Sequence, residues 1–318
     1  MVPPPNPPET DGPAAGTSSI VCMLAEGSYF HGAAALCNSL IRQRFTGLMV
    51  VFYRGCLPGW AGCGQLTPRV SVRFVELDGV WHLTNLKPRI MQRIVRDYPG
   101  FQTLYYFDVD IVITCAWDNF VRWARHGAVL CHDLSDTYMP ANHVFRQEWQ
   151  ALAQRAGYQT RAITGYFNAG CIGLAPAHCS LLDVWARLID LHAAEGADMT
   201  RVVAAGGPPE FAKMDQDLLN AALMASDVPL ALLGKEAMGS FPHAPVMTHA
   251  MIFKKPWLRN YLLDALKGFP PGREDMAFWN NMEAPIATFS PGRLRRKRLE
   301  LNLARLLGRI RRRSVITW

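Results

Sequence analysis

The sequence predicts an α/β protein built on a mainly parallel sheet flanked by helices. Short apolar runs alternate with stretches of helical spacing through the first 113 positions, the pattern of strand–helix–strand units. Half of the 318 residues are hydrophobic and 19% are charged. Such a chain is neither disordered nor a small disulfide-stapled scaffold. It suits one large domain or two closely packed ones.

The elements follow in order. Residues 20–24 are an apolar run, followed by Gly27 and by Tyr29, Ala33, Leu36 and Leu40 at helical spacing. Residues 48–53 read as a second strand, and 70–77 as a third with alternating character. Leu86, Ile90, Ile94 and Val95 mark a helix over 86–98; residues 103–107 are aromatic and β-prone, and 111–113 resume the run after two aspartates. The second half alternates less regularly, with strands expected over 128–131 and 166–174, helices over 181–192 and 218–225, and a further apolar run over 228–233. There is no internal repeat, no G-x-G-x-x-G opening the first helix and no P-loop.

The charge is unevenly placed. The net balance is +7, but ten of the 33 bases and one of the 26 acids lie between positions 293 and 313, leaving 23 bases and 25 acids elsewhere. The body is therefore nearly neutral, which argues against nucleic acid as a partner. No run of 18 apolar residues predicts a transmembrane helix. The opening MVPPPNPPETDGPAAG lacks the basic-then-apolar order of a signal peptide and reads as a Pro-rich lead-in. The eight cysteines form no Cys-x-x-Cys pair, and several sit in apolar runs, so reduced core thiols in a cytoplasmic protein are expected. The expected organisation is a lead-in over 1–17, a domain over 18–290 and a basic tail over 291–318.

Four segments can carry chemistry. In 104–113, Asp108 and Asp110 are two residues apart in an otherwise apolar stretch, so they project the same way from an extended backbone. A pair of carboxylates there is costly unless compensated, and hard oxygen ligands suit Mg²⁺ or Mn²⁺; the other reading is two solvated carboxylates at a strand end. In 248–257, Pro256 suits the first position of a helix running to Leu266, with Lys255 just outside it, a phosphate-binding arrangement. His249 offers an imidazole to the same cation, which would favour Mn²⁺; its alternative is a satisfied core histidine. In 165–173, small residues around Asn168 would admit a ligand to the backbone, or simply form a buried strand with a glycine bulge. In 214–220, Asp215 opens a helix and is either a site residue or its N-cap.

In this order the segments resemble a known family. Y-x-x-G-A-x-x-L-x-x-S-L from Tyr29, F-D-x-D from Phe107, F-N-A-G from Phe167, D-Q-x-x-L-N from Asp215 and H-x(5)-K-P-W from His249 look like the retaining GT-A glycosyltransferases of family 8, which include glycogenin and bacterial lipopolysaccharide galactosyltransferases. The resemblance spans residues 20 to about 266. It implies a GT-A fold, a Rossmann-like nucleotide half merged with an acceptor half, and transfer of a sugar with retention from a nucleotide sugar, UDP-linked by expectation, with Mn²⁺ or Mg²⁺. It also implies a glycan, lipid-linked or envelope acceptor. Asp108, Asp110 and His249 match the metal ligands, and Lys255 the lysine that grips the diphosphate. Val109 lies between the two aspartates. Leu24, Ala25, Glu26 and Tyr29 fall where the family holds base and ribose, and Lys87 sits near a basic position facing the donor. Asn168, Asp215 and Gln216 match residues around the transferred sugar, with Asp133 a weaker match on the same side. One departure is Ile252, where the family has glycine; a β-branched residue does not adopt glycine-only conformations, so this phosphate loop is expected to run differently. Two other readings stay open: an inverting transferase on the same fold, and an inactive nucleotide-sugar-binding homologue.

The tail places Leu299, Leu303, Leu306, Leu307 and Ile310 on one helical stripe, with Arg298, Arg305, Arg309 and Arg312 alongside. It reads either as an anchor on anionic lipid, with the protein peripheral at the inner face of a membrane, or as a terminal helix docked on the body.

Overall fold

The computed structural model describes residues 19–134, 138–202, 208–239, 246–251 and 254–315, with side chains to 310. The order of elements is β1 (Ser19–Glu26), α1 (Phe30–Arg42), β2 (Gly47–Arg54), β3 (Gln65–Thr67), β4 (Val70–Glu76), α2 (Lys87–Asp97), β5 (Thr103–Phe107) and β6 (Ile111–Ile113). Then come α3 (Trp117–Ala124), β7 (Ala128–His132), α4 (Val144–Arg155), β8 (Phe167–Leu174), α5 (Ser180–Ala194) and α6 (Met214–Met224). The chain closes through β9 (Leu230–Leu233), β10 (Met247–His249), α7 (Tyr261–Leu266), α8 (Arg273–Asn280) and α9 (Pro291–Val315).

The main sheet runs β3-β4-β2-β1-β5-β8-β7-β9. Its β4, β2, β1 and β5 are parallel neighbours, as are β7 and β9, while β8 runs antiparallel to both β5 and β7. This is the expected mixed, mainly parallel α/β sheet. The chain leaves β1 for β2 on one side and places β5 on the other, so a crevice opens beyond the carboxyl ends of β1 and β5, the usual position for a ligand in an open α/β sheet.

Strand period explains the two cores. Along β1, Val21, Met23 and Ala25 join the cluster under α1, α3, α8 and α9. Ile20, Cys22 and Leu24 face the opposite cluster, with Trp149 of α4, Trp185 of α5 and Leu218 of α6. Alternating side chains on a strand buried on both faces require apolar residues at every position, which is why β1 reads as a continuous run rather than an alternation. The helices α3, α4 and α8 are not evident in the sequence. The first and last are eight residues long, too short for a periodic signal, and α4 buries Arg146 on its core face.

Two expectations are corrected. No continuous helix runs from Pro256 to Leu266: a 3₁₀ turn over Pro256–Leu258 ends at an extended Arg259 (φ −79°, ψ 143°), and α7 starts afresh with the Asn260 side chain accepting from the Leu263 N–H. The cause is the Arg259 guanidinium, which donates to Asp264 (3.0 Å), Asp275 (2.6 Å) and the Phe269 carbonyl (2.8 Å) and so draws the backbone out of helix. Asp215 is not an N-cap either. Lys213 holds that position, and Asp217 reaches back to its N–H at 2.8 Å.

The tail helix α9 docks through Leu294, Leu301 and Ala304, which are part of the core, while Leu299, Leu303, Leu306, Leu307 and Ile310 are exposed. Arg298 does not flank that stripe in solvent; it pairs with Glu283 and donates to the Trp279 carbonyl. The Arg312 side chain lies outside the described residues. All eight cysteines are free thiols; Cys22, Cys37, Cys131 and Cys171 are buried, but Cys56 and Cys63 are exposed, contrary to a uniformly buried set. Among the described residues no helix is long and apolar enough to cross a membrane.

Candidate active site

β5 ends in the crevice, and its continuation carries the two aspartates. The Asp108 N–H donates to the Gly170 carbonyl (2.8 Å) and the Ile111 N–H to the Asp108 carbonyl (3.0 Å), which folds the chain into a tight turn between β5 and β6. β6 pairs antiparallel with β10, His249 facing Ile111 in register. This small second sheet brings a residue 141 positions further along the chain beside the carboxylates. Asp108, Asp110 and His249 each offer a ligand atom, all within 4.8 Å of one another. Nε2 of His249 lies 3.2 Å from Asp110 and 3.8 Å from Asp108, while its Nδ1 is buried with no hydrogen-bond partner among the described residues.

A divalent cation fits this set. Two carboxylates and an imidazole are the donors that Mn²⁺ accepts, with Mg²⁺ the harder alternative. The third wall is Gly170: a Cβ there would stand 2.7 Å from both Asp108 Oδ2 and His249 Cε1, and 2.8 Å from Asn168 Oδ1. Only glycine leaves both ligands in place.

Two lysines compensate the carboxylates. Lys255 Nζ donates to Asp110 (2.6 Å) and to the Ala250 carbonyl (2.9 Å). Burial works against the Asp110 anion, but His249 and Lys255 outweigh it and hold the carboxyl well below its usual range. Lys87, at the start of α2 and only 2% exposed, donates to Asp215 (2.7 Å) and the Ala169 carbonyl (3.0 Å) and lies 3.2 Å from Asp108. Burial alone would lower its pKa; Asp108 and Asp215 instead push it up to about 12. It is a fixed cation tying the Asp108 turn to α6.

Next to Gly170 lies a buried cluster of two amides around the Asp133 carboxylate. The Asn168 amide donates to Asp133 (3.1 Å) and Gln216 (3.2 Å), and its oxygen accepts from the Gly170 N–H (2.8 Å). Gln216 donates to the same Asp133 oxygen (3.1 Å) and accepts from the Ala169 N–H (3.2 Å). The Ala169 backbone links this cluster to the Lys87–Asp215 pair, its N–H donating to Gln216 and its carbonyl accepting from Lys87.

Beside the carboxylates opens a cleft of about 250 Å³, lined by Leu24, Glu26, Tyr29, Asp108, Val109, Asp110 and Lys255, all anticipated from sequence, together with His82, Leu83, Thr84, Tyr106 and Val202. Two of the residues expected at the donor do not line it: Ala25 points to the other face of β1 and packs in the core, and Lys87 is buried against Asp108 and Asp215. Tyr29 stands edge-on to Trp257, ring centres 5.5 Å apart. Ile252 lies outside the described residues, and the helix N-terminus expected beside Lys255 is replaced by the 3₁₀ turn.

The residues missed from sequence have few local signals. His82 caps the 3₁₀ turn Leu83–Leu86 before α2, its ring accepting from the Thr84 N–H. Gly170 was visible only as one small residue among several. Asp217 accepts from the Tyr166 hydroxyl (2.6 Å); burial pushes its carboxyl up to about 7, against hydrogen bonds from Tyr166 and the Lys213 N–H.

This mixed sheet with its flanking helices is a fold shared with solved glycosyltransferases. The chain is similar to a solved apo structure of WbbM, a bifunctional glycosyltransferase, with a TM-score of 0.54 and 14% identity over 90% of this chain and 52% of that one. It thus spans about half the length of the WbbM chain. It also aligns with the glycosyltransferase GlyE of Streptococcus pneumoniae TIGR4, with a TM-score of 0.49 and 15% identity over 92% of this chain and 64% of that one. No protein-family model matches the sequence, and no curated protein matches it.

Proposed function

We propose that the protein is a metal-dependent glycosyltransferase that moves a sugar from a nucleotide diphosphate sugar, UDP-linked by preference, to a glycan or lipid-linked acceptor with retention at the anomeric carbon. The observation that carries this reading is the convergence of Asp108, Asp110 and His249 at the mouth of a cleft beyond the ends of β1 and β5. The ordered resemblance of five motifs to family 8 supports it.

In this reading Leu24, Glu26 and Tyr29 hold base and ribose, and Tyr106, Asp108 and Val109 form the floor. Asp108, Asp110 and His249 would hold the cation, Mn²⁺ by preference, which when bound supplies Lewis-acid stabilisation of the diphosphate. Breaking the sugar–phosphate bond leaves extra negative charge on the nucleotide, so preorganised cations are the main requirement. Lys255 meets that need by turning from Asp110 to a diphosphate oxygen. Lys87 holds Asp108 and Asp215 in place through its contacts with both. Asn168, Gln216 and Asp133 orient the sugar, their rotamers locked by mutual hydrogen bonds, so its reacting carbon is presented without reorganisation.

The test is release of free sugar from a panel of nucleotide sugars by the wild type with Mn²⁺, with Mg²⁺ and in chelator. Metal-dependent turnover of one donor is expected, abolished in Asp110→Ala. Turnover undiminished in chelator, or a full-rate Asp110→Ala enzyme, would refute the reading. The anomer formed on a simple acceptor separates retention from inversion.

A further inference from the structure

Of the large hydrophobic side chains exposed among the described residues, more than half belong to two neighbouring segments, the stripe on α9 and the stretch from Leu258 to Phe269. Leu262 shares an open groove with Leu299, Leu303 and Arg296, and Gly308 of α9 comes so close to Pro270 that a Cβ would lie 2.6 Å from it. Leu262 is therefore continuous with the α9 stripe, with α7 packed along α9, and its neighbours in the segment stand far out of the body, Leu266 at 62% and Phe269 at 70% exposure. Soluble monomers rarely leave so extended an apolar surface uncovered.

The charge around this face is of one sign. Arg295 and Arg296 lie one turn before Leu299, and Arg305 and Arg309 beside Leu306, all exposed. The acids nearest to them are engaged inward: Glu300 pairs with Lys297 and accepts from the Tyr261 N–H (2.6 Å), and Asp264 is held by Arg259. A second copy of the chain on this face would set arginine against arginine across a two-fold contact, which is repulsive. An apolar ridge fringed by arginines suits instead the acyl boundary and the anionic headgroups of a bilayer.

We propose that α7, the segment through Phe269 and the outer stripe of α9 form one docking face for an anionic phospholipid bilayer, into which the leucines and Phe269 insert while the arginines contact headgroups. The anchor is thus a composite of the body and the tail, and α9 acts as a docked, rigid element. The face starts three residues after Lys255, so docking sets the mouth of the donor cleft near the lipid; on the reading proposed above, this selects acceptors carried on a lipid.

Removing residues 291–318 would also remove core residues, so point variants of the full chain are the proper test. Flotation with vesicles of phosphatidylcholine alone and with 30% phosphatidylglycerol should show binding of the wild type to the anionic vesicles only. Leu266→Glu/Leu303→Glu should abolish it, and Arg305→Gln/Arg309→Gln should weaken it about thirtyfold, each basic residue contributing ~1 kcal/mol near such a surface. Metal-dependent hydrolysis of a nucleotide sugar in lipid-free buffer should be the same in all three proteins, so failure to dock and failure to react are read separately. No binding to anionic vesicles by the wild type, or equal binding by the variants, overturns the proposal. So does a wild-type dimer in sedimentation velocity that Leu266→Glu/Leu303→Glu dissolves, which would assign the face to a second copy.

Discussion

At Asp110, an imidazole and an ammonium converge on one buried carboxylate, so the acid is ionised before any ligand arrives. Replacing Asp110 with Ala is expected to cut metal-dependent donor turnover by at least ~10²-fold, the scale for losing one element of charge stabilisation; steady-state assays with Mn²⁺ check this. Gly170→Ala is expected to reduce metal affinity as well as turnover, because its Cβ competes for space with Asp108 and His249; manganese titration followed by calorimetry reads both. Lys87 is a different case. Its removal in Lys87→Met leaves Asp108 and Asp215 facing one another without a cation, and a stability loss of ~3–5 kcal/mol is expected from urea unfolding. Asp217 supplies a pH dependence. Its folded pKa, about 7, is above the ordinary carboxylate value, so the native state holds the proton more tightly than the unfolded chain. The Asp217 contribution is therefore greatest below pH 4 and is lost as pH rises to about 7. Melting curves at pH 5 and pH 8 should show a larger fall in the wild type than in Asp217→Asn.

Among the elements, the β6–β10 pair and the break before α7 matter most. The three residues of β10 are too few to announce a strand, yet its pairing with β6 alone carries His249 to the aspartates. The segment before α7 was expected to be helical because Pro256 suits the first position of a helix. The competing force is the buried Arg259 cluster: a guanidinium shared between Asp264 and Asp275 outweighs the helix propensity of residues 256–260, so that only α7 itself is helical. Arg259→Ala would leave Asp275, which is fully buried, without its cation, and a loss of ~3–5 kcal/mol is expected. Differential scanning calorimetry measures it, and retained donor hydrolysis at low temperature would show that the damage is to the α7–α9 region rather than to the site.

For the whole molecule, α9 is both part of the core and, on its other side, the fringe of an apolar face. The composition isolates its ten bases from a nearly neutral body, but only packing separates the inward residues, Leu294 and Leu301, from the outward ones. Much of the α/β alternation was legible because strands buried on both faces are apolar throughout and the long helices keep their period. The aspartate pair was legible for a related reason, two charges standing where the pattern requires apolar residues. What tertiary structure alone decided is which distant groups meet those charges: His249 through a strand pairing, Lys87 and Asp215 through one buried ion pair, and Gly170 through the absence of a side chain. Spacing along a chain encodes local geometry within a few residues. A metal-sized space among residues 87 to 255 is produced only when the sheet closes and long-range hydrogen bonds select one register.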